Sequence, residues 1–219
     1  MRSKWTRRII PVVVILFSLF PCFVTAGESE NASALENRKL QIFASITKGA
    51  SAIKTISSDF IQERRTSMLK EPLIATGKFF FEKPERLRWE FLKPSQSGFA
   101  INGERTRRWR DNPEQSEPFE IGKEPAVKTT AEQVFAWARG DFIWIEERYQ
   151  IVIESEEPLT IMLIPRSPEE GKYIRSIAIS FSSDLTYVNS VEIREKQGDS
   201  TRIRFVNSVL NTPLPEGLF

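Results

Sequence analysis

From Ser58 onwards the chain is a succession of short apolar runs, each closed by a proline or a tight turn. The runs 58–68, 73–82, 86–93 and 97–101 carry Phe, Ile, Leu and Trp between Pro72, Pro84 and Pro94. In Leu87-Arg88-Trp89-Glu90-Phe91 the apolar and charged side chains alternate, which sends them to opposite faces of a strand. Asn102-Gly103 is a favoured two-residue hairpin turn and joins 97–101 to 104–110. Strand runs resume at 148–154, 158–165, 174–181, 187–194 and 200–207. Among them Ile177, Ile179 and Phe181 alternate with Ser176, Ala178 and Ser180, and Ile203 and Phe205 with Arg202 and Arg204. Links this short join antiparallel neighbours, because a parallel pair needs a long crossover. No strand–helix–strand alternation is present, so a doubly wound sheet is not expected. The expected fold is mainly β with some α: an incomplete antiparallel β-barrel, with helices covering one mouth or face.

Two segments read as helices. Leu40, Phe43, Ile46, Ala50, Ile53 and Ile56 recur at three- and four-residue steps, which predicts one amphipathic helix with a single buried stripe. Thr130 and Gln133 form a capping box ahead of Val134, Phe135, Trp137 and Ala138, with Gly140 placed as a C-cap. Residues 111–125 and the tail 211–219 carry prolines and no period.

The N-terminus sets Arg2, Lys4, Arg7 and Arg8 before an apolar run, Ile9 to Phe20, and a small-residue site at Val24-Thr25-Ala26. This describes a secretory signal peptide cleaved after Ala26. A membrane anchor needs ~20 apolar residues, and Pro21 closes this run too early. Phe20-Pro21 before Cys22 also fits a lipoprotein signal poorly. The expected organisation is a signal at 1–26, a flexible tether at 27–36 and a single domain at 37–219, working in the periplasm. Loss of 1–26 removes four of 31 basic residues and none of 29 acidic ones, so the exported chain carries −2 instead of +2.

The sequence has no histidine and one cysteine, Cys22. Ser-His-Asp and Cys-His catalysis and the usual zinc hydrolase sites are therefore unavailable. Glu146-Glu147, Glu156-Glu157 and Glu169-Glu170 are adjacent in sequence, so on strands each pair splits between faces and reads as solvated turn charge. There is no phosphate loop, dinucleotide fingerprint or nucleophile elbow. The expectation is a binding protein with no catalytic residue, metal or cofactor. Arg105, Arg107, Arg108 and Arg110 surround Trp109. Export makes nucleic acid an unsuitable partner for them, which leaves a solvated hairpin or docking on an acidic surface. Phe79-Phe80-Phe81 puts rings on both faces of one strand. A curved sheet lined by such residues packs as core or encloses a lipid cavity.

Four ordered stretches carry a family resemblance: Ser58-Asp59-Phe60-Ile61-Gln62, 77–84 (Gly-Lys-Phe-Phe-Phe-Glu-Lys-Pro), 87–94 (Leu-Arg-Trp-Glu-Phe-Leu-Lys-Pro) and the Asn102-Gly103 hairpin. Together they resemble the LolA family of periplasmic outer-membrane lipoprotein carriers, as a divergent branch. Lys83 stands where well-known members have Arg, and 105–110 is basic where they are apolar. The resemblance implies an open barrel of about eleven strands closed by helices. It also implies a monomeric shuttle that takes acylated lipoproteins from an inner-membrane ABC-type release complex to an outer-membrane acceptor. On that reading Phe60, Phe79, Phe81, Leu87, Trp89 and Phe91 contribute the sheet side of an acyl cavity, and Phe135 and Trp137 a helical lid. Lys83 holds the closed state through a lid carbonyl, and Arg105, Arg107, Arg108 and Arg110 offer a docking patch. A lipid or fatty-acyl binding protein of envelope glycolipid or pigment-lipid assembly is the alternative with the same cavity.

Overall fold

The computed structural model describes residues 26–219, so the expected signal peptide lies almost wholly outside the described residues. The chain divides into two compact units at the Glu36–Asn37 boundary. The second unit, Asn37–Phe219, holds the whole sheet.

Two meanders build that sheet. β1 (Thr55–Arg65), β2 (Leu73–Glu82), β3 (Arg86–Lys93), β4 (Ser97–Asn102), β5 (Arg105–Arg110) and the short β6 (Glu117–Pro118) follow one another across it. β7 (Tyr149–Glu156), β8 (Leu159–Pro165), β9 (Ile174–Phe181), β10 (Val188–Glu195) and β11 (Ser200–Leu210) form the second. The two are joined where β1 pairs with β11, from Ile56 opposite Leu210 to Arg65 opposite Ser200. The result is one 11-stranded antiparallel sheet whose edges, β6 and β7, do not meet. This is the incomplete barrel expected from the sequence.

Helix α1 (Ala26–Ser51) precedes the sheet, and α2 (Pro125–Arg139) and α3 (Phe142–Arg148) connect β6 to β7. A link between opposite edges has to cross a face, so the topology lays α2 over the inner side. Strand alternation supplies the apolar surface beneath it. Phe79 and Phe81 of β2, Leu87 and Trp89 of β3, Ile177, Ile179 and Phe181 of β9 and Ile203 of β11 are buried. The opposite face is polar: Arg202 and Arg194 flank Glu192, and Arg194 reaches on to Glu154 of β7.

The structure differs from the sequence reading at four points. Residues 27–36 continue α1 instead of forming a loose tether, since no Gly or Pro interrupts the chain between Gly27 and Gly49. Helix α1 ends at Ser51, so Ile56 belongs to β1, and Leu40 is 56% exposed. At about 100° per residue, Leu40 falls on the flank of the stripe made by Ile42, Phe43, Ile46 and Ala50. Helix α2 opens at Pro125, five residues before Thr130, because Pro needs no N–H partner in the first turn; Thr130 and Gln133 therefore lie inside the helix. The hairpin turn is Gly103-Glu104, since Asn102 pairs with Arg105. Gly140 is the expected C-cap, in left-handed backbone at φ 65°, and a short third helix, unread in the sequence, follows it.

Gly77 of β2 sits beneath the Phe60 ring, where a Cβ atom would lie 2.5 Å from that ring and 2.0 Å from the Glu90 carbonyl oxygen. Phe60 is fully buried and touches Trp89 and Phe91 at centroid distances of 5.1 and 5.2 Å. Adding a methyl group there forces this cluster apart. Gly77→Ala is expected to cost about 1–3 kcal/mol, read as a lower urea midpoint with an unchanged m-value.

Candidate functional site

The inner face and the helices enclose a cavity of about 160 Å³. Its sheet wall is Ile56 and Ser58 of β1, Phe79 and Phe81 of β2, Trp89 of β3, and Ile203 and Phe205 of β11. Opposite that half stand Ile179 and Phe181 of β9 and Val188, Val191 and Ile193 of β10. The roof is Ile46 and Ala50 of α1 with Val134, Trp137 and Ala138 of α2. Polar groups are few: Ser58, Thr130, Gln133, Thr186 and Tyr187. A space of this size holds on the order of ten methylene-sized atoms.

Two packed clusters flank the cavity, and α2 belongs to both. Trp137 joins α1, α3 and β7–β9, with ring contacts of 5.7 Å to Phe142 and 5.6 Å to Phe181. Ala131, Val134, Phe135 and Ala138 join β1–β4. Of the eight cavity residues named from sequence, Phe79, Phe81, Trp89 and Trp137 line the space. Phe60, Leu87, Phe91 and Phe135 lie in the packed layer beside it. The sequence reading missed the wall from β9–β11 and the α1 roof. The alternation of Ile179 and Phe181 with Ser180, and of Ile203 and Phe205 with Arg204, was the available signal.

Lys83 follows β2 and reaches α1. Its Nζ donates to the carbonyl oxygens of Ala50, at 2.8 Å, and Ser51, at 3.4 Å, and its backbone N–H donates to Lys54 O at 2.9 Å. The last carbonyls of a helix lack intrahelical partners and carry partial negative charge, so an ammonium group is well placed there. Burial holds the Lys83 pKa below its ordinary value. A second tie joins α1 to α2: Thr47 Oγ1 donates to Gly140 O at 3.5 Å, and a Cβ at Gly140 would lie 3.0 Å from Thr47 Cα.

The four arginines do not form one surface. Arg107 lies on the outer face with its Nη2 on the carbonyls of Gly217 and Leu218, at 3.2 and 3.3 Å. Arg108 pairs with Glu117, at 2.8 Å, and with Glu124 before α2. Arg105 and Arg110 are exposed and without an ion-pair partner among the described residues. Trp109 is buried on the outer face under the Arg88 guanidinium, 4.4 Å from the ring centroid. The acidic doublets are surface charge: Glu146 pairs with Lys39, Glu147 with Arg148 and Glu156 with Arg38. Among the described residues no group of His, Cys, Asp and Glu is arranged to hold a metal ion, and no helix is long and apolar enough to cross a membrane.

An open antiparallel barrel roofed by helices over an apolar cavity defines a binding protein for apolar ligands. Residues 51–219 match the family model described as outer membrane lipoprotein carrier protein LolA, and the chain belongs to that family. An outer-membrane lipoprotein carrier protein of Methylococcus capsulatus is 25% identical over 168 residues, 76% of each chain. Among solved structures, the chain is similar to the lipoprotein LppX of Mycobacterium tuberculosis, with a TM-score of 0.47, 9% identity and coverage of 80% of this chain and 97% of that one. A LolA superfamily protein of Nitrosomonas europaea gives 0.40 and 9%, over 80% and 96% of the two chains. The MucA/MucB complex of Pseudomonas aeruginosa gives 0.46 and 11%, covering 80% of this chain and 58% of that one.

One polar group behind the roof titrates unusually. Gln133 Nε2 donates to the hydroxyl of Tyr149 at 3.1 Å. Burial, helped by the negative charge of Glu170, pushes the Tyr149 phenol above its ordinary value. The folded state thus keeps a proton that the unfolded chain gives up near pH ~10. This contribution to stability is intact below that pH and is lost as pH rises through the folded value. Thermal unfolding followed above pH ~10 is expected to fall less steeply for Tyr149→Phe than for the wild type.

Proposed function

We propose that the protein is a periplasmic chaperone that holds the acyl chains of lipoproteins in this cavity and carries them from the inner to the outer membrane. The observation that supports it is the apolar cavity under a helical roof. Buried acyl chain is worth ~0.8 kcal/mol per CH₂, so one long chain gains on the order of 10 kcal/mol, enough to keep it out of water without chemistry. The cavity as enclosed is smaller than such a chain, so α1 and α2 must move away from the sheet on loading. Phe79, Phe81, Trp89 and Trp137 contact the cargo. Phe60, Leu87, Phe91 and Phe135 serve as the second layer that yields when the cavity widens.

Lys83 is the latch of the closed state in this reading. Arg105 and Arg110 are free to meet an acidic surface on the inner-membrane release complex or on the outer-membrane acceptor. A charge-assisted bond of this kind contributes about 1.5–3 kcal/mol. Lys83→Leu is therefore expected to slow delivery of a bound lipoprotein to acceptor membranes roughly tenfold; normal transfer by this variant removes the latch. Native mass spectrometry of protein purified from the periplasm, followed by lipid extraction, tests the cargo. Co-purified acylated lipoprotein is the expected result. Free fatty acid or glycolipid alone would instead favour a carrier for envelope lipid assembly, and a persistently empty protein overturns both.

A further inference from the structure

The turn between β1 and β2 is the most apolar exposed feature of the second unit. Met68 is 90% exposed at its apex, with Leu69 at 49%, Leu73 at 54% and Ile74 at 49%. The hairpin is ordered by its neighbours: Leu69 N–H donates to Thr66 O at 3.2 Å and Ser67 N–H to Asp199 Oδ1 at 3.1 Å. Pairing between β2 and β3 reaches only as far as Thr76 opposite Lys93, so Leu73 and Ile74 stand beyond the β3 end of the ladder.

The surroundings give the patch its chemistry. Arg64 pairs with Glu195 and Asp199, at 3.1 and 3.6 Å, and Arg65 with Glu63, at 2.5 Å, which neutralises the acids beside the tip within the chain itself. Lys70 on this turn and Lys196 on the adjoining β10–β11 turn have no carboxylate partner among the described residues, and Glu71 is the one unpaired acid on the two turns. Tyr173, 72% exposed, lies on the same rim, where its carbonyl accepts the Lys196 N–H at 2.8 Å. Apolar apex, flanking lysines and an exposed tyrosine are the groups that a membrane interface takes up. The apolar side chains enter among the acyl chains, the lysine ammonium groups stay with lipid phosphates, and tyrosine sits at headgroup level.

We propose that the β1–β2 hairpin tip, led by Met68 and Leu69, inserts into the surface of an anionic phospholipid bilayer. The proposal rests on the carrier reading, since an acylated cargo begins and ends its journey in a bilayer. The tip gives the carrier a contact with lipid that is separate from its cavity. The test is flotation of the exported protein with protein-free vesicles of phosphatidylethanolamine and phosphatidylglycerol. Wild type is expected to float with the vesicles. The double substitution Met68→Glu with Leu69→Glu is expected to lower the bound fraction at least fivefold, and Met68→Leu with Leu69→Ile to restore it. Both pairs replace exposed side chains, so melting temperature and retention of a long-chain acyl probe in solution should stay unchanged. A wild type that ignores these vesicles, as expected if a protein receptor supplies the contact, overturns the proposal. So does a glutamate variant that floats as well as wild type. Loss of acyl-probe retention in the wild type with flotation intact would instead strike the carrier reading alone.

Discussion

The structure depends on one topological constraint: the chain leaves the sheet at one edge and re-enters at the other. β6 and β7 lie ten strand positions apart, and the segment between them contains α2 and α3. A sheet with one apolar face can bury it by closing on itself or by accepting a cover. Here the connection between the edges lies across the face, so the sheet stays open and the helices become the cover. Helix α1, arriving from the other direction at the start of β1, completes it. The cavity lies between the sheet and this cover.

Two of the polar contacts that tie the cover down sit where helix ends leave carbonyls without partners. Lys83 holds the end of α1, and Thr47 meets Gly140 where α2 stops. Arg38 of α1 pairs with Glu156 of β7, Arg139 of α2 with Glu85 after β2, and Gln133 of α2 bonds Tyr149; the rest of the attachment is apolar contact, which has no fixed direction. The outer face is built differently. Arg88, 8% exposed, bonds Glu90 at 2.9 Å, stacks on Trp109 and donates to Leu218 O at 3.0 Å. Directional bonds of this sort keep β3 to β5 in place. On the inner face of β3 and β4 the side chains are apolar, and the polar bonds there come from β5, where Thr106 donates to Phe119 O and Arg108 pairs with Glu117 and Glu124.

The strands were legible in the sequence because each carries its own period and its own stop. Leu87 to Phe91 alternates, and the run 86–93 is bounded by Pro84 and Pro94. Three of the lining residues were legible for the same reason: parity puts Phe79 and Phe81 on one face of β2 and Trp89 on the apolar face of β3. Parity also puts Phe60, Leu87 and Phe91 on the inner side, but it says nothing of depth along the strand. Phe60 lies over Gly77 and is walled in by Trp89 and Phe91, which takes it out of reach of the space. The far wall depends on β11 pairing with β1, a contact between residues some 150 positions apart that no local pattern records. The start of α2 was missed because Thr130 and Gln133 imitate a capping box. Pro125, the residue that opens the helix, stands in a stretch whose prolines and acids read as loop.

The position of α2 couples the two halves of the core. Its side chains alternate between two clusters, Trp137 with Phe142 and Phe181 on one side, Phe135 with Phe81 on the other at 6.3 Å. Bending the sheet alone would pull one of these sets away from the helix while pressing on the other. Close-packed interiors resist that kind of uneven strain. Trp137 is stacked with α3, which is joined to α2 through Gly140, so that side of the helix is held by a neighbouring helix as well as by the sheet. At the Phe81 edge Lys83, at the turn that follows Phe81, bonds the end of α1, and Arg139 of α2 pairs with Glu85 of the same turn at 3.4 Å. On the other side Arg38 of α1 pairs with Glu156 of β7, so polar contacts tie α1 to the sheet at both edges of the cover.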